Sequence, residues 1–380
     1  MRIAVFDYRV VPTNPVGGCH LRMLRGLCHL HEFTVFAVEF ENPCPERIHW
    51  VKLRLPVRPY VLLFVLFHLV GPLVYAYYRF IHGWRFDLVQ MVESNLTFGD
   101  ISYSHFCHRS YLTRHWRETR ARGLRGILRG CAHRAAALLE PAVYRRVRRI
   151  VAPSRGLIGE LTQTYPTAGS KLGLVPNPVD VDRMRPPESS TREEIRAQFG
   201  IQPDELALVF VALGHFERKG LPLLLDAVQL LKTMRVKLLV AGGERGLVME
   251  YRRRCEEMGI GRQVRFDGMQ RDLRPYYWAA DAFVFPSCYE TFCLVAFEAA
   301  AAAVPLLVTA VNGVEEFIDD GRNGLLIERS PESIVDAIRR LAALAPAERR
   351  AMGECARRSV QRYGRDEFVS AWKDFYECLA

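Results

Sequence analysis

The chain has 380 residues, 49% of them apolar, with a formal net charge of +10 and a pI near 9.2. No low-complexity tract or short-period repeat breaks it, so a large core and two domains of ordinary size fit, and the positive balance favours anionic partners such as phosphates, acidic lipid surfaces or nucleic acid. Its ten cysteines hold no Cys-x-x-Cys pair, Cys288 and Cys293 being the nearest two, which excludes the usual zinc and redox motifs and suits reduced thiols in a cytosolic protein.

The N-terminus, Met-Arg-Ile-Ala-Val-Phe-Asp, reads as a strand rather than a signal peptide, so a cytoplasmic location is expected. Short apolar runs then alternate with longer amphipathic stretches, the rhythm of a parallel sheet covered by helices. In the first half the pattern predicts strands over 2–7, 32–38, 48–53, 88–91, 101–104 and 149–152. Helices are predicted over 18–30, 59–81, 125–147 and 157–163. Pro176, Pro178, Pro186 and Pro187 mark a linker over 176–190.

In the second half strands are predicted over 206–213, 236–241, 264–266, 282–285, 306–309 and 324–327. Helices are predicted over 222–232, 247–258, 273–279, 294–303 and 332–343, and two more over 346–361 and 366–377 close the chain. The expected domains are 1–182 and 183–364, with 365–380 packing back on the first. Ligands of open α/β sheets bind beyond the carboxyl ends of the strands, so two such domains are expected to face each other across a cleft.

Chemistry concentrates where the strand ending at Phe285 runs into Pro286, a loop carrying Glu290 and a helix starting near Leu294. Backbone N–H groups at a helix start bind phosphate oxygens. Glu298, in the early turns, suits ribose hydroxyls, and Glu290 suits sugar hydroxyls; taken alone, a helix cap and a solvated glutamate explain the pair better. A second site is Gly214-His-Phe-Glu-Arg218-Lys219-Gly220, between a strand and a helix. Two adjacent cations there suit a diphosphate, and the competing reading is a solvated basic turn. In the first half, Pro15-Val-Gly17-Gly18 opens a helix after the first strand, where Gly allows close backbone approach. His105 and His108 follow a strand, and Asn177 and Asp180 lie in the linker.

Glu290 and Glu298 with their surroundings resemble the Glu-x7-Glu motif of family-4 glycosyltransferases, which have the two-domain GT-B fold. The resemblance spans most of the second half, including Phe266-Asp-Gly268, Ala280-Asp281, Ala303-Val-Pro305 and Asp320-Gly-Arg-Asn-Gly324. It implies that Glu290 contacts the transferred sugar, that Glu298 holds the ribose, and that Phe292, Cys293 and Leu294 offer backbone N–H groups. Gly usually stands in the family where Thr291 and Cys293 stand here. Lys219 takes the place of the family's lysine, Arg218 substitutes for an arginine often found where His215 lies, and His105 matches a histidine at the donor sugar. Gly17 and Gly18 resemble the N-terminal Gly-Gly loop, and Asn177 the Pro-Asn-Gly-Val-Asp segment, with Pro178 in place of Gly.

The resemblance implies a retaining, metal-independent glycosyltransferase with a nucleotide-diphosphate sugar as co-substrate and no resident cofactor. The only Asp-x-Asp triplet, Asp180-Val-Asp182, lies in the linker. A glycan or lipid-linked acceptor in cell-surface glycan synthesis is expected. A nucleotide-sugar epimerase and a non-catalytic glycan- or lipid-binding subunit remain the alternatives, since fold does not settle chemistry. Tyr60–Tyr78 is apolar apart from His68, is interrupted by Gly71-Pro72, and is expected to be a buried or membrane-dipping helix. Arginines recur from Arg109 to Arg149 and suit an anionic membrane surface, or else an ordinary solvated helix face. No zinc-finger or RNA-recognition signature is present, so no nucleic-acid partner is expected.

Overall fold

The computed structural model describes residues 1–119, 123–189 and 191–379. Residues 120–122 of the basic stretch, Ser190 at the end of the expected linker, and Ala380 lie outside the described residues. The chain divides into two compact units, one formed by Met1–Pro178 with Arg365–Ala380, the other by Val179–Gly364. The chain thus changes unit after Pro178, four residues before the expected boundary. The cause is local: Val179 is buried in the second core, its N–H donates to Tyr363 O (2.8 Å), and Arg357 Nη2 donates to Val181 O (3.0 Å).

The first unit is built on a parallel sheet. Its strands are β1 (Arg2–Phe6), β3 (Glu32–Ala37), β5 (Ile48–Lys52), β6 (Leu88–Val92), β7 (Ile101–Tyr103), β8 (Arg149–Ala152) and β9 (Leu172–Leu174), in the order β5-β3-β1-β6-β7-β8-β9. Two-residue strands β2 (Arg9–Val10) and β4 (Glu39–Phe40) pair beside it. The central strands are apolar on both faces because helices cover both. Those helices are α1 (Pro15–Leu27), α2 (Tyr60–Ala76), α3 (His108–Arg114), α4 (Trp116–Thr119), α5 (Gly123–Arg146) and α6 (Arg155–Thr164). Gly71-Pro72 does not interrupt α2, which continues into a π turn over Tyr77–Ile81. Gly71 lets the helix approach the core, where a Cβ would stand 3.2 Å from Leu96 Cδ2. The helix Arg365–Glu377 completes this unit: Trp372 and Tyr376 are fully buried in its core, and Tyr376 OH donates to Gln90 Oε1 (2.6 Å).

The second unit has a six-stranded parallel sheet. Strands β10 (Leu206–Val211), β11 (Val236–Ala241), β12 (Val264–Gly268), β13 (Ala282–Phe285), β14 (Leu306–Val308) and β15 (Gly324–Leu326) run in the order β12-β11-β10-β13-β14-β15. The order reverses at β10, whose neighbours are β11 and β13, the kind of switch point beside which α/β sheets bind ligands. Helices α7 (Arg192–Gln198), α8 (Phe216–Lys219), α9 (Leu221–Leu230), α10 (Arg245–Glu257), α11 (Arg274–Ala279), α12 (Leu294–Ala301), α13 (Pro331–Ala343) and α14 (Pro346–Val360) surround it. Both sheets are parallel and Rossmann-like, as the resemblance implied. Helix α7, absent from the predicted elements, is set by a capping box between Thr191 and Glu194. Its Arg196 pairs with the buried Asp281 (2.9 Å), whose other partners are Arg192 (2.9 Å) and the Ala207 N–H (2.8 Å).

Candidate functional site

In the second unit, Lys219 and Glu290 meet at the carboxyl ends of β10 and β13. Phe216 anchors α8 in the core, edge-on to Tyr251 (5.2 Å). Pro286 ends β13 and turns the chain toward Glu290. The two loops lie against each other because Gly220, at φ +81°, has no side chain; a Cβ there would stand 2.2 Å from Pro286 O. Cys288 N then donates to Arg218 O (3.0 Å).

Lys219 Nζ donates to Glu290 Oε1, and Ser287 Oγ donates to the same oxygen (2.8 Å). Lys219 Nζ also lies over the Phe285 ring (5.2 Å). Arg218 Nη1 donates to Tyr289 O (3.2 Å), while its Nε is buried without a partner among the described residues. Burial pushes the Glu290 carboxyl up, but the Lys219 and Arg218 charges and hydrogen bonds outweigh it and hold it below the usual carboxylate range. Burial pulls the Lys219 ammonium below its ordinary range, Glu290 opposing and Arg218 adding to the effect. Two cations therefore share one buried carboxylate, an arrangement suited to receiving further negative charge.

Helix α12 starts beside this group. Cys293 is its N-cap, with φ +64° and no side-chain cap bond, so the first turn presents backbone N–H groups. Phe292 contributes only its backbone, since its ring stacks on Phe297 (4.2 Å) in the core. Gly313 pins that backbone, because a Cβ there would stand 2.1 Å from Phe292 O. Leu294 opens the helix, and one turn on, half-buried Glu298 accepts from Tyr277 OH (3.1 Å). Burial, then the Glu290 charge, push the Cys293 thiol well above its ordinary range, so it is no nucleophile.

The remaining predicted residues belong to the first unit and form a group of their own. Tyr103 OH donates to Asn177 Oδ1 (2.9 Å), and the Tyr103 ring lies edge-on to His105 (4.2 Å). His105 is buried, and its Nε2 has no partner among the described residues. Burial and the nearby His20 push its pKa down to about 3, so the imidazole is neutral. Gly17 and Gly18 lie inside the first turn of α1, where the Gly17 N–H donates to Asn14 Oδ1 (3.0 Å) and the Gly18 N–H to Asn14 O (2.7 Å). The close approach that Gly17 permits is to Arg9 O, which a Cβ would meet at 2.1 Å. Neither amide is open to a ligand.

Comparison with known proteins bears on the whole arrangement. Residues 20–183 match the family model "Glycosyltransferase Family 4", and residues 207–343 match "Glycosyl transferases group 1". The chain belongs to glycosyltransferase family 4. Two curated relatives, both D-inositol 3-phosphate glycosyltransferases, come from Corynebacterium urealyticum (29% identical over 235 residues, 58% of this chain and 54% of the relative) and Streptomyces avermitilis (31% over 255 residues, 64% and 54%). The chain thus spans about half the length of the curated relatives it matches. A sucrose-phosphate synthase from Thermosynechococcus elongatus superposes with a TM-score of 0.79 at 20% identity, covering 100% of this chain and 99% of that one. Anabaena HepE in complex with UDP-glucose superposes at 0.74, with 17% identity and 100% coverage of both chains.

Within this family-4 chain, the departures from the motif fall on particular backbone positions. Thr291 is not left-handed, so losing Gly there costs no strain, whereas Cys293 holds the left-handed conformation Gly would take easily. His215, where the family often has Arg, is left-handed too (φ +58°). Several polar contacts of the first unit escaped sequence reading. Buried His20 has its Nδ1 2.8 Å from Asp7 Oδ2, and Gln90 Nε2 donates to its other nitrogen (3.0 Å). His108 lies 3.1 Å from Glu93 Oε2 and 2.9 Å from His133 Nδ1, while buried Glu140 accepts from the His108 and Arg109 amides (2.6 and 3.2 Å). Asp7 and Glu93 sit just beyond β1 and β6, and that placement is the signal that could have found them.

Proposed function

We propose that the chain transfers a sugar from a nucleotide-diphosphate donor to an acceptor hydroxyl, retaining the anomeric configuration and using no metal ion. The carrying observation is the Lys219–Glu290 pair with Arg218, set beside the amide-presenting start of α12. The diphosphate sits against Lys219, Arg218 and those amides, which stabilise charge growing on the leaving phosphate as the glycosidic C–O bond breaks. The acceptor oxygen attacks the anomeric carbon from the face the diphosphate leaves, and its proton passes to the departing phosphate oxygen. Glu298 holds the ribose. Glu290, kept ionised by its two cations, accepts from sugar hydroxyls. HepE, which holds UDP-glucose, and relatives named as glycosyltransferases support this assignment.

The acceptor we assign is a glycan or lipid-linked hydroxyl compound of cell-surface glycan synthesis, reached from the cytoplasmic side. None of the ten cysteines forms a disulfide, which suits that compartment. The test is a thermal-shift screen of nucleotide sugars starting with UDP-glucose, followed by transfer to candidate acceptors with EDTA present and NMR of the product's anomeric proton. A true donor raises Tm by mass action. Retained configuration is expected. An inverted product, loss of transfer with EDTA, or a donor epimerised without acceptor would sink the proposal.

A further inference from the structure

Helix α2 and its π turn keep an apolar ridge in solvent. Leu62, Val65, Leu69, Leu73, Tyr77 and Phe80 recur every three or four positions, so they share one face. All are exposed, Leu73 by 69% and Phe80 by 75%. The opposite face is core: Leu63, Phe64, Phe67 and Gly71 are buried, and Phe67 packs edge-on against Phe6 and Tyr8. The helix is thus neither a core helix nor an ordinary surface one. His68 has Nδ1 2.8 Å from Phe64 O and Nε2 2.9 Å from Ser94 O, so both ring nitrogens face protein carbonyls.

Charge says what covers this ridge. Residues 47–86 contain six Lys or Arg and no Asp or Glu. Exposed Arg54 and Arg58 precede the helix, exposed Arg79 lies beside Phe80 at the far end of the ridge, and exposed Arg85 follows it. The imbalance extends to the whole unit: the first carries 26 Lys and Arg against 15 Asp and Glu, net +11, and the second 26 against 27, net −1. A second copy seated on the ridge would bring these arginines against each other, which like-charge repulsion disfavours. An anionic lipid surface takes both the apolar ridge and the cations at its ends.

We infer that the α2 ridge beds into the headgroup–acyl boundary of an anionic membrane, with the helix lying in the plane of the surface. The helix is long and apolar enough to cross a membrane. Its chain neighbours β5 and β6 belong to one sheet, however, so crossing would divide that sheet between two sides. Tyr60 and Tyr77, each about half exposed, suit the water–lipid boundary. The inference stands apart from the donor site and needs no activity to test it.

The experiment is co-sedimentation of the full chain with vesicles of phosphatidylcholine alone or mixed equally with phosphatidylglycerol, at low and high salt. The wild type is expected to bind the mixed vesicles, more weakly in high salt but still measurably, because the ridge is not screened. The double substitution Leu73→Glu, Phe80→Glu is expected to weaken binding on the order of tenfold or more, with an unchanged melting temperature because both positions are exposed. A wild type that leaves mixed vesicles unbound overturns the inference, whatever the variant's fold. So does a variant that binds as the wild type does. A dimer dispersed by the same substitutions, without vesicle binding, would show that a second copy covers the ridge and would overturn it too.

Discussion

Lys219 and Glu290, 71 positions apart in sequence, close a buried ion pair that each side chain needs in order to stay charged. Removing Lys219 leaves Glu290 with only the Arg218 charge and the Ser287 hydroxyl to offset its burial, a cost of up to about 3 kcal/mol. Lys219→Ala is therefore expected to lower Tm and to reduce sugar transfer by roughly 100-fold or more. The paired change Lys219→Met, Glu290→Gln is expected to recover much of the Tm and none of the transfer. Melting and turnover of the three proteins check this, and transfer recovering with Tm would make the pair merely structural.

Cys293 carries a side chain in a conformation that costs an L-residue about 1–2 kcal/mol. Both Cys293→Ala and Cys293→Gly lose the buried sulfur, but only the second relieves the strain. The glycine variant is expected to melt several degrees above the alanine variant. Equal melting temperatures would mean that the loop around Glu290 absorbs the strain elsewhere.

Asp281 is a structural charge. Burial pushes its carboxyl up, but Arg192, Arg196 and the Ala207 amide outweigh this and hold it below its ordinary value. Its contribution is therefore present above the unfolded-state value near 4 and is lost as pH falls through the lower folded value. Asp281→Asn is expected to cost about 3 kcal/mol at pH 7. The Tm gap to wild type is expected to narrow as pH drops below about 4. A gap constant from pH 7 to pH 3 would contradict the charge assignment.

His105 acts with the same sign, over a higher pH range. Its pKa is near 3 folded, and about 6.5 unfolded. Between those values only the unfolded chain takes the proton, so stability declines as pH falls below about 6.5, by roughly 2 kcal/mol at pH 5. His105→Gln is expected to flatten the Tm profile between pH 7 and pH 5. An unchanged slope would show that the imidazole is protonated in the folded protein.

Both sheets were legible because strands buried on two faces read as unbroken apolar runs, as in Leu206–Val211 and Ala282–Phe285. Short elements were not. Strand β9 has three residues and α8 four, too few for a period to show. Helix α7 was hidden behind prolines, although Thr191 and Glu194 spelled its capping box. At the site, Glu290 and Lys219 were each readable from local motifs, but their bond was not, because it forms only when β13 lies beside β10. The Asp7–His20 contact joins a strand end to a helix face and leaves no periodic trace. Nor does the approach of Cys28 Sγ to Cys44 Sγ (3.3 Å). Gly17 was readable as a small residue at a helix start, but its close approach to the Arg9 backbone was not.

The helix Arg365–Glu377 fixes an order of assembly during synthesis. Residues 179–364 form a contiguous unit and are complete once translated. The unit begun by residue 1 lacks Trp372 and Tyr376 in its core until residue 377 has left the ribosome. Gln90, buried and bonded to Tyr376, waits for a partner 286 residues further along the chain. A released chain truncated after residue 364 should thus yield to protease in its first half and resist in its second.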